Sequence, residues 1–159
     1  MLIPVGGVRP QPRPQPSNIA WFRIAHEQLH CGVREVAGCR HNGRIFEYHS
    51  ATTQRATSDE TPWCSSFVNW CMQHAGKRGV RSAVARLWLN CRGGFELREP
   101  RRGAIAILWR GSPSSLSGHV AFVERVTRSR INSLGSNQGD EFSISRYRMN
   151  RVLGYRWPR

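Results

Sequence analysis

The sequence predicts an α+β domain in which N-terminal helices pack on a C-terminal antiparallel sheet of about five strands. In the first half of the chain, apolar residues recur at helical spacing. After Gly94 the pattern changes to short runs rich in β-forming residues, which Gly, Ser and Asn turns separate. Helices first and strands second are typical of the α+β class.

One folded domain is expected over residues 17–159, preceded by a flexible arm over residues 1–16. A chain of 159 residues, 39% of them apolar, is long enough to bury a core. The segment MLIPVGGVRPQPRPQP is rich in Pro and Arg, which favours an extended arm. A signal peptide needs a long apolar stretch instead. Synthesis in the cytoplasm without a signal peptide is therefore expected.

The first two helices are predicted from their caps and their apolar faces. The first is capped by Ser17 or Asn18 and ends at Gly32. The second begins near Pro62, with Asp59 or Thr61 available as a cap, and ends at Gly76. Between them, the run RIFEYH predicts a short helical turn.

A third helix is expected from Ser82 to Cys91, with Val84, Leu87 and Trp88 facing inward. The strands are then predicted over residues 104–109, 119–126, 130–135, 141–147 and 151–157.

The chain is strongly basic, with 24 Lys and Arg against 10 Asp and Glu, for a formal charge of +14. Such a charge attracts polyanions, including nucleic acid, lipopolysaccharide, anionic membranes and cell-wall polymers. The arginines are scattered, and no zinc-finger spacing or RRM-like aromatic signature is present. Nucleic acid is therefore not the expected partner.

The stretch PWCSSFVNWC, residues 62–71, contains two cysteines with different surroundings. Cys64 falls in the first turn of its predicted helix, where free backbone N–H groups and the helix dipole favour a thiolate. Cys71 lies two turns later on the apolar face, where burial is the expected role. Cys64 is therefore the candidate nucleophile, with a buried core cysteine as the alternative.

A cysteine nucleophile needs a base and a group that orients the base. His119 opens a predicted strand after a turn rich in Gly and Ser, on one face with Ala121 and Val123. The next strand ends in SLGSNQGD, which offers Asn137 and Gln138. A cysteine at a helix start, a histidine on one strand and an amide on the next form a papain-like arrangement.

Five segments together resemble the CHAP-type amidase and endopeptidase family, a branch of the NlpC-type papain-like peptidases, and above all its subgroup from phage lysis proteins. They are PWCSSFVNWC, RGAIAIL, GHVAFVERV, SLGSNQGDEFSIS and VLGYRWP. The resemblance spans roughly residues 17–158 and implies a papain-like NlpC/CHAP fold. It also implies hydrolysis of a peptidoglycan amide bond, either next to the glycan lactyl group or within the wall peptide.

The resemblance implies Cys64 as nucleophile, His119 as general base and acid, and Asn137 as the orienting residue. Many members carry a Glu two residues before the orienting Asn, but this chain has Gly135 there. Glu124 is the second candidate for the orienting role, although strand alternation turns it away from His119.

Four residues are candidates for contact with the substrate: Trp63 next to the nucleophile, Glu47, Tyr48 and Gln138. Structural roles are about equally compatible with the sequence. His30, Cys31, Cys39 and His41 lie close together, but their spacing matches no common zinc site. Neither a metal nor another cofactor is therefore expected.

The leading functional hypothesis is a monomeric, wall-degrading cysteine hydrolase, either a phage endolysin or an interbacterial effector. It would act on peptidoglycan in the periplasm or from outside, aided by attraction to anionic lipopolysaccharide or membrane surfaces. The alternative is a catalytically silent basic module that binds lipopolysaccharide or nucleic acid. These hypotheses differ in whether Cys64 is reactive at neutral pH.

Overall fold

A computed structural model describes residues 18–38 and 40–159. The predicted arm, Ser17 and Cys39 lie outside the described residues. Three α-helices precede the sheet: α1 (Ala20–Leu29), α2 (Gly43–Ser50) and α3 (Cys64–His74). Two short 3₁₀ helices follow α3, at Ala85–Asn90 and Met149–Arg151.

Six strands form one antiparallel sheet with the order β1-β6-β2-β3-β4-β5. The strands are β1 (Gly94–Leu97), β2 (Ile105–Trp109), β3 (Gly118–Val126), β4 (Arg130–Gly135), β5 (Ser143–Arg148) and β6 (Val152–Pro158). The predicted α+β architecture and the last five strands are confirmed. The short edge strand β1 was not predicted, because only four residues form it and two of them are exposed.

The helical predictions were less accurate at their boundaries. Helix α3 begins at Cys64, and Trp63 occupies the N-cap without a side-chain hydrogen bond. The predicted third helix is a 3₁₀ helix, in which residues three apart share a face. Trp88 is buried as predicted, but the inward orientation of Val84 and Leu87 was wrong: they are 51% and 46% exposed.

The sheet separates two apolar layers. Val120 and Phe122 of β3 belong to the cluster that packs against the helices, whereas Val123 belongs to a smaller cluster with Leu108 and Ile131. This alternation follows from the two-residue period of a strand. In the register of β2 and β3, His119 lies opposite Leu108, near the N-terminal end of β3.

Helix α3 is buried along most of its length, since the consecutive residues from Cys64 to Met72 are all buried. Its buried Ser and Asn side chains are hydrogen-bonded to neighbouring segments. Ser65 Oγ donates to Ser82 O at 2.6 Å, Ser66 Oγ pairs with His49 Nδ1 at 2.8 Å, and Asn69 Oδ1 accepts from the backbone N–H of Arg81 at 2.7 Å.

None of the described helices is both long enough and apolar enough to cross a membrane.

The loop before α3 is organised by the buried carboxylate of Asp59. Its Oδ2 accepts hydrogen bonds from the backbone N–H groups of Asn42 at 2.8 Å and Val36 at 2.9 Å, and Oδ1 lies 3.1 Å from His41 Nδ1. Burial opposes ionisation, but these hydrogen bonds outweigh it and hold the pKa of Asp59 below its ordinary value. The carboxylate therefore stabilises the folded state in its ionised form.

Asp59→Asn is expected to lower the free energy of unfolding by about 1–3 kcal/mol at neutral pH, because the backbone N–H groups of Asn42 and Val36 lose their charged acceptor. The pKa of Asp59 is lower in the folded than in the unfolded state, so its contribution is present above the unfolded pKa of about 4. It is lost as the pH falls through the folded value. Urea unfolding at neutral and acidic pH measures both effects; a deficit that stays constant down to acidic pH would contradict this role.

Candidate active site

Cys64 lies at the first position of α3, beside the beginning of β3 and the end of β4. The position is held by a hydrogen bond from Ser136 Oγ to the backbone O of Trp63, at 3.2 Å. The Cys64 residue is only 3% exposed. The candidate nucleophile is therefore within the core cluster on the helix side of the sheet.

Burial raises the pKa of the Cys64 thiol above its ordinary value. Three influences act in the opposite direction: a backbone hydrogen bond from Val120, the positive charge of Arg110, and the N–H groups of Cys64 and Ser65. The thiol is thus neutral at rest, but the groups that would stabilise a thiolate already surround it.

His119 is the second residue of β3 and is fully buried. Its Nε2 lies 3.1 Å from Gln138 Oε1, and its Nδ1 lies 3.2 Å from Arg110 Nη2. A guanidinium group can only donate hydrogen bonds. Nδ1 is therefore the acceptor of the ring, and Nε2 carries the proton.

The orientation of the Gln138 amide is consistent with this tautomer. Gln138 Nε2 donates to three backbone carbonyls, those of Ser133 and Gly135 at 3.2 Å and that of Ser143 at 2.7 Å. Because the nitrogen is held by these acceptors, the amide oxygen is the atom that faces His119. Gln138 thus orients the imidazole with Nδ1 as its acceptor nitrogen.

In this structure the contact with His119 is made by Gln138 and not by the side chain of Asn137, the expected orienting residue. Asn137 has a φ of 55°, in the left-handed region, and Gln138, the next residue, is buried against the histidine. The backbone of Asn137 contributes instead, since its O accepts from Arg110 Nη2 at 3.0 Å. Sequence reasoning does not separate two adjacent amides, because backbone conformation decides which side chain enters the core.

Glu124, the second candidate for the orienting role, lies elsewhere. Its Oε2 is 2.7 Å from His26 Nε2, and its Oε1 accepts from Arg102 Nη2 at 2.7 Å. Burial opposes its ionisation, but these two partners lower the pKa of Glu124. Glu124 therefore joins α1 to the sheet and does not contact His119.

The surroundings of His119 favour the neutral imidazole. Burial and then the positive charge of Arg110 lower the pKa of His119 to about 3, against the opposing effect of the Gln138 hydrogen bond. Arg151 lowers it further. The ring of Tyr147 also lies near the imidazole of His119, with 5.5 Å between the two ring centroids.

Arg110 is the residue of this site that sequence reasoning missed. It directly follows β2, and the pairing of Trp109 with Gly118 places it near the beginning of β3. The available signal was the hairpin itself, since antiparallel pairing of the two predicted strands brings the residues around the turn together.

Cys64 and His119 are not hydrogen-bonded to each other, because both imidazole nitrogens already have partners.

The remaining candidate substrate contacts have structural partners. Trp63 and Tyr48 are fully buried and stack at 5.8 Å between ring centroids, so neither lines an open groove in this structure. Trp63 Nε1 also donates to Glu35 Oε1 at 2.8 Å. Glu47 is exposed and forms an ion pair with Arg44 one turn earlier on α2.

The candidate metal ligands are dispersed. His41 contacts Asp59, and the thiol of Cys31 donates to the backbone O of Glu27 at 3.6 Å. Among residues 18–38 and 40–159, no three His, Cys, Asp or Glu side chains are grouped as ligands of a metal ion would be. Cys39 lies outside that part of the chain.

The chain was compared with known protein families, curated sequences and solved structures. No curated protein sequence matches the chain. A solved structure described as similar to a lipoprotein of the NLP/P60 family, from Staphylococcus aureus, is 15% identical, with a TM-score of 0.39. The alignment covers 77% of this chain and 44% of that one, so the chain spans less than half the length of that protein.

The family model of the CHAP domain matches residues 56–137, which is just over half of the chain. The matched segment contains both Cys64 and His119, and it ends one residue before Gln138. The family resemblance stated from the sequence motifs is therefore confirmed. The chain belongs to the CHAP domain family.

Proposed function

We propose that this protein cleaves an amide bond of the peptidoglycan peptide by covalent cysteine catalysis. The observation that carries the proposal is the arrangement at the start of α3: Ser136 bonds to the backbone O of Trp63 and so holds Cys64 beside the end of β4, and His119 at the beginning of β3 is oriented by Gln138. All but Gln138 fall within the segment that matches the CHAP family.

Catalysis requires the lone pair of His119 Nδ1, which accepts from Arg110 at rest, to receive the thiol proton. Because the thiol and the imidazole are both neutral at rest, the proton moves as the sulfur attacks the carbonyl carbon. The S–H bond breaks, an N–H bond forms at Nδ1, and the sulfur bonds to carbon. Gln138 stabilises the resulting imidazolium, since its amide oxygen continues to accept from Nε2.

The first turn of α3 supplies the donors for the oxyanion. The backbone N–H groups of Cys64 and Ser65 face the thiol and have no helical acceptor at this end of the helix. Collapse of the tetrahedral intermediate transfers the Nδ1 proton to the leaving amine and leaves an acyl-enzyme. Water then attacks the thioester, with His119 as base, and restores the free thiol.

Cys64→Ala is expected to abolish hydrolysis of purified peptidoglycan, because the covalent route is lost. Cys71→Ala is the matched control: Cys71 is also fully buried in α3, and burial alone raises the pKa of its thiol. The control should keep its activity and lose about 1 kcal/mol of stability. Turbidity clearance and mass spectrometry of released fragments measure activity and identify the bond; clearance by Cys64→Ala would reject the proposal.

Gln138→Ala is expected to lower kcat by roughly ten- to a thousandfold with little change in KM, because His119 loses the acceptor that orients it. Asn137→Gly is the matched control, since glycine tolerates the left-handed backbone and keeps the carbonyl that accepts from Arg110. Its activity should stay near wild type. The opposite ranking of the two variants would return the orienting role to the Asn137 side chain.

Peptidoglycan is the proposed partner, and the positive charge would assist binding to anionic material of the wall or outer membrane. The proposed place of action is the wall, reached from the periplasm or from outside. Binding to purified sacculi should weaken as salt rises, because attraction between exposed charges is screened over about 8–10 Å at physiological ionic strength. Sedimentation with sacculi measures this; binding that does not change with salt would exclude the electrostatic contribution.

A further inference from the structure

The guanidinium group of Arg110 is hydrogen-bonded to Nδ1 of His119, the atom that accepts the thiol proton in the proposed mechanism. Arg110 Nη2 donates to His119 Nδ1 at 3.2 Å and to the backbone O of Asn137 at 3.0 Å. Nδ1 cannot accept a proton from Cys64 while its lone pair accepts this hydrogen bond. The structure therefore shows a resting state from which Arg110 must move before catalysis.

The burial of Cys64 and His119 also requires Arg110 to move before a substrate can bind. Cys64 is 3% exposed and His119 is fully buried. A carbonyl carbon must approach the sulfur to within bonding distance, and the proton must pass to the imidazole. Arg110 is partly exposed and is hydrogen-bonded to both His119 and Asn137, so it is among the groups at this site that an arriving substrate meets.

Arg110 is positively charged, but both of its hydrogen-bond acceptors, His119 Nδ1 and the backbone O of Asn137, are neutral. All ten Asp and Glu residues of the chain lie in the described part, and none forms an ion pair with Arg110. Arg151, the second cation near His119, likewise contacts only the backbone O of Trp109 and the rings of Trp109 and Tyr147. The site thus contains two guanidinium groups without a carboxylate of the protein.

We propose that Arg110 is the substrate-recognition switch of this site: a carboxylate of an acidic wall peptide draws its guanidinium from His119 and so frees Nδ1 for Cys64. This inference rests on the proposed function, because it assigns the substrate class of that same site. A carboxylate accepts two parallel hydrogen bonds from a guanidinium group, with charge assistance that an imidazole nitrogen and a carbonyl do not provide. Binding of the correct substrate thereby produces the competent base.

The switch makes substrate charge a condition for catalysis. A peptide with an amide in place of the carboxylate offers Arg110 no better acceptor than it already has, so Nδ1 stays occupied. Arg151 keeps a positive charge beside the site throughout and adds to the attraction for an anion. The protein should therefore discriminate between two peptides that differ only in that group.

The first test compares two synthetic wall peptides that are identical except for a carboxylate replaced by a carboxamide near the scissile bond. Wild type should cleave the carboxylate peptide with a kcat/KM at least about tenfold higher, which corresponds to one additional charge-assisted interaction. Arg110→Met should remove this preference, mainly by raising kcat for the carboxamide peptide. Arg110→Lys keeps the charge without the planar fork and should retain part of the preference.

Arg128→Met is the matched control, since Arg128 is exposed in the turn between β3 and β4 and forms no ion pair within the described residues. It should keep the wild-type preference. Equal kcat/KM values for the two peptides in wild type, or a preference that persists in Arg110→Met, would overturn the switch.

A second readout does not depend on hydrolysis. In the Cys64→Ala protein, NMR of the His119 ring reports the hydrogen bond at Nδ1 and the ring's titration. The carboxylate peptide, and separately Arg110→Met, should each release that bond and raise the pKa of His119 from about 3; the carboxamide peptide should do neither. Ring signals that ignore the carboxylate peptide would overturn the switch, whereas hydrolysis by Cys64→Ala would overturn the proposed function alone.

Discussion

The burial of α3 is the constraint on which the rest of the structure depends. A helix surrounded by protein must satisfy each of its polar side chains internally. Ser65 and Asn69 therefore bind the loop at Arg81 and Ser82, Ser66 binds α2, and the helix is held in position along its length. Its first turn is consequently fixed against β3, where the Cys64 thiol meets the Val120 N–H.

The N–H of the buried histidine is likewise satisfied internally, by the neutral amide of Gln138. Gln138 is itself anchored by three backbone carbonyls from β4 and β5, so the orientation of His119 is a property of the sheet and not of a flexible side chain. A neutral amide adds no negative charge beside the imidazole. With Arg110 and Arg151 nearby, the site has a positive potential, which suits an anionic peptide and disfavours an imidazolium before substrate arrives.

The strands could be predicted closely from the sequence, because runs rich in β-forming residues end at Gly, Ser or Asn turns. The segment after α3 could not be predicted in the same way. Val84 and Leu87 are apolar and fit a helical face, yet the 3₁₀ geometry turns them to solvent while Trp88 remains inside. Apolar periodicity does not distinguish a tight helix from an α-helix when the segment is short.

By itself, the sequence determined which chemical groups were available and on which elements: a thiol at a helix start, an imidazole at a strand start, and two amides after the next strand. Those assignments follow from local patterns. Only the tertiary structure decided that Gln138 faces the imidazole and that Arg110 occupies Nδ1. The first depends on the left-handed backbone at Asn137, and the second on the pairing of β2 with β3. Local residue patterns predict the strands but not their register or the backbone conformation of the turn, and these two features decide both contacts.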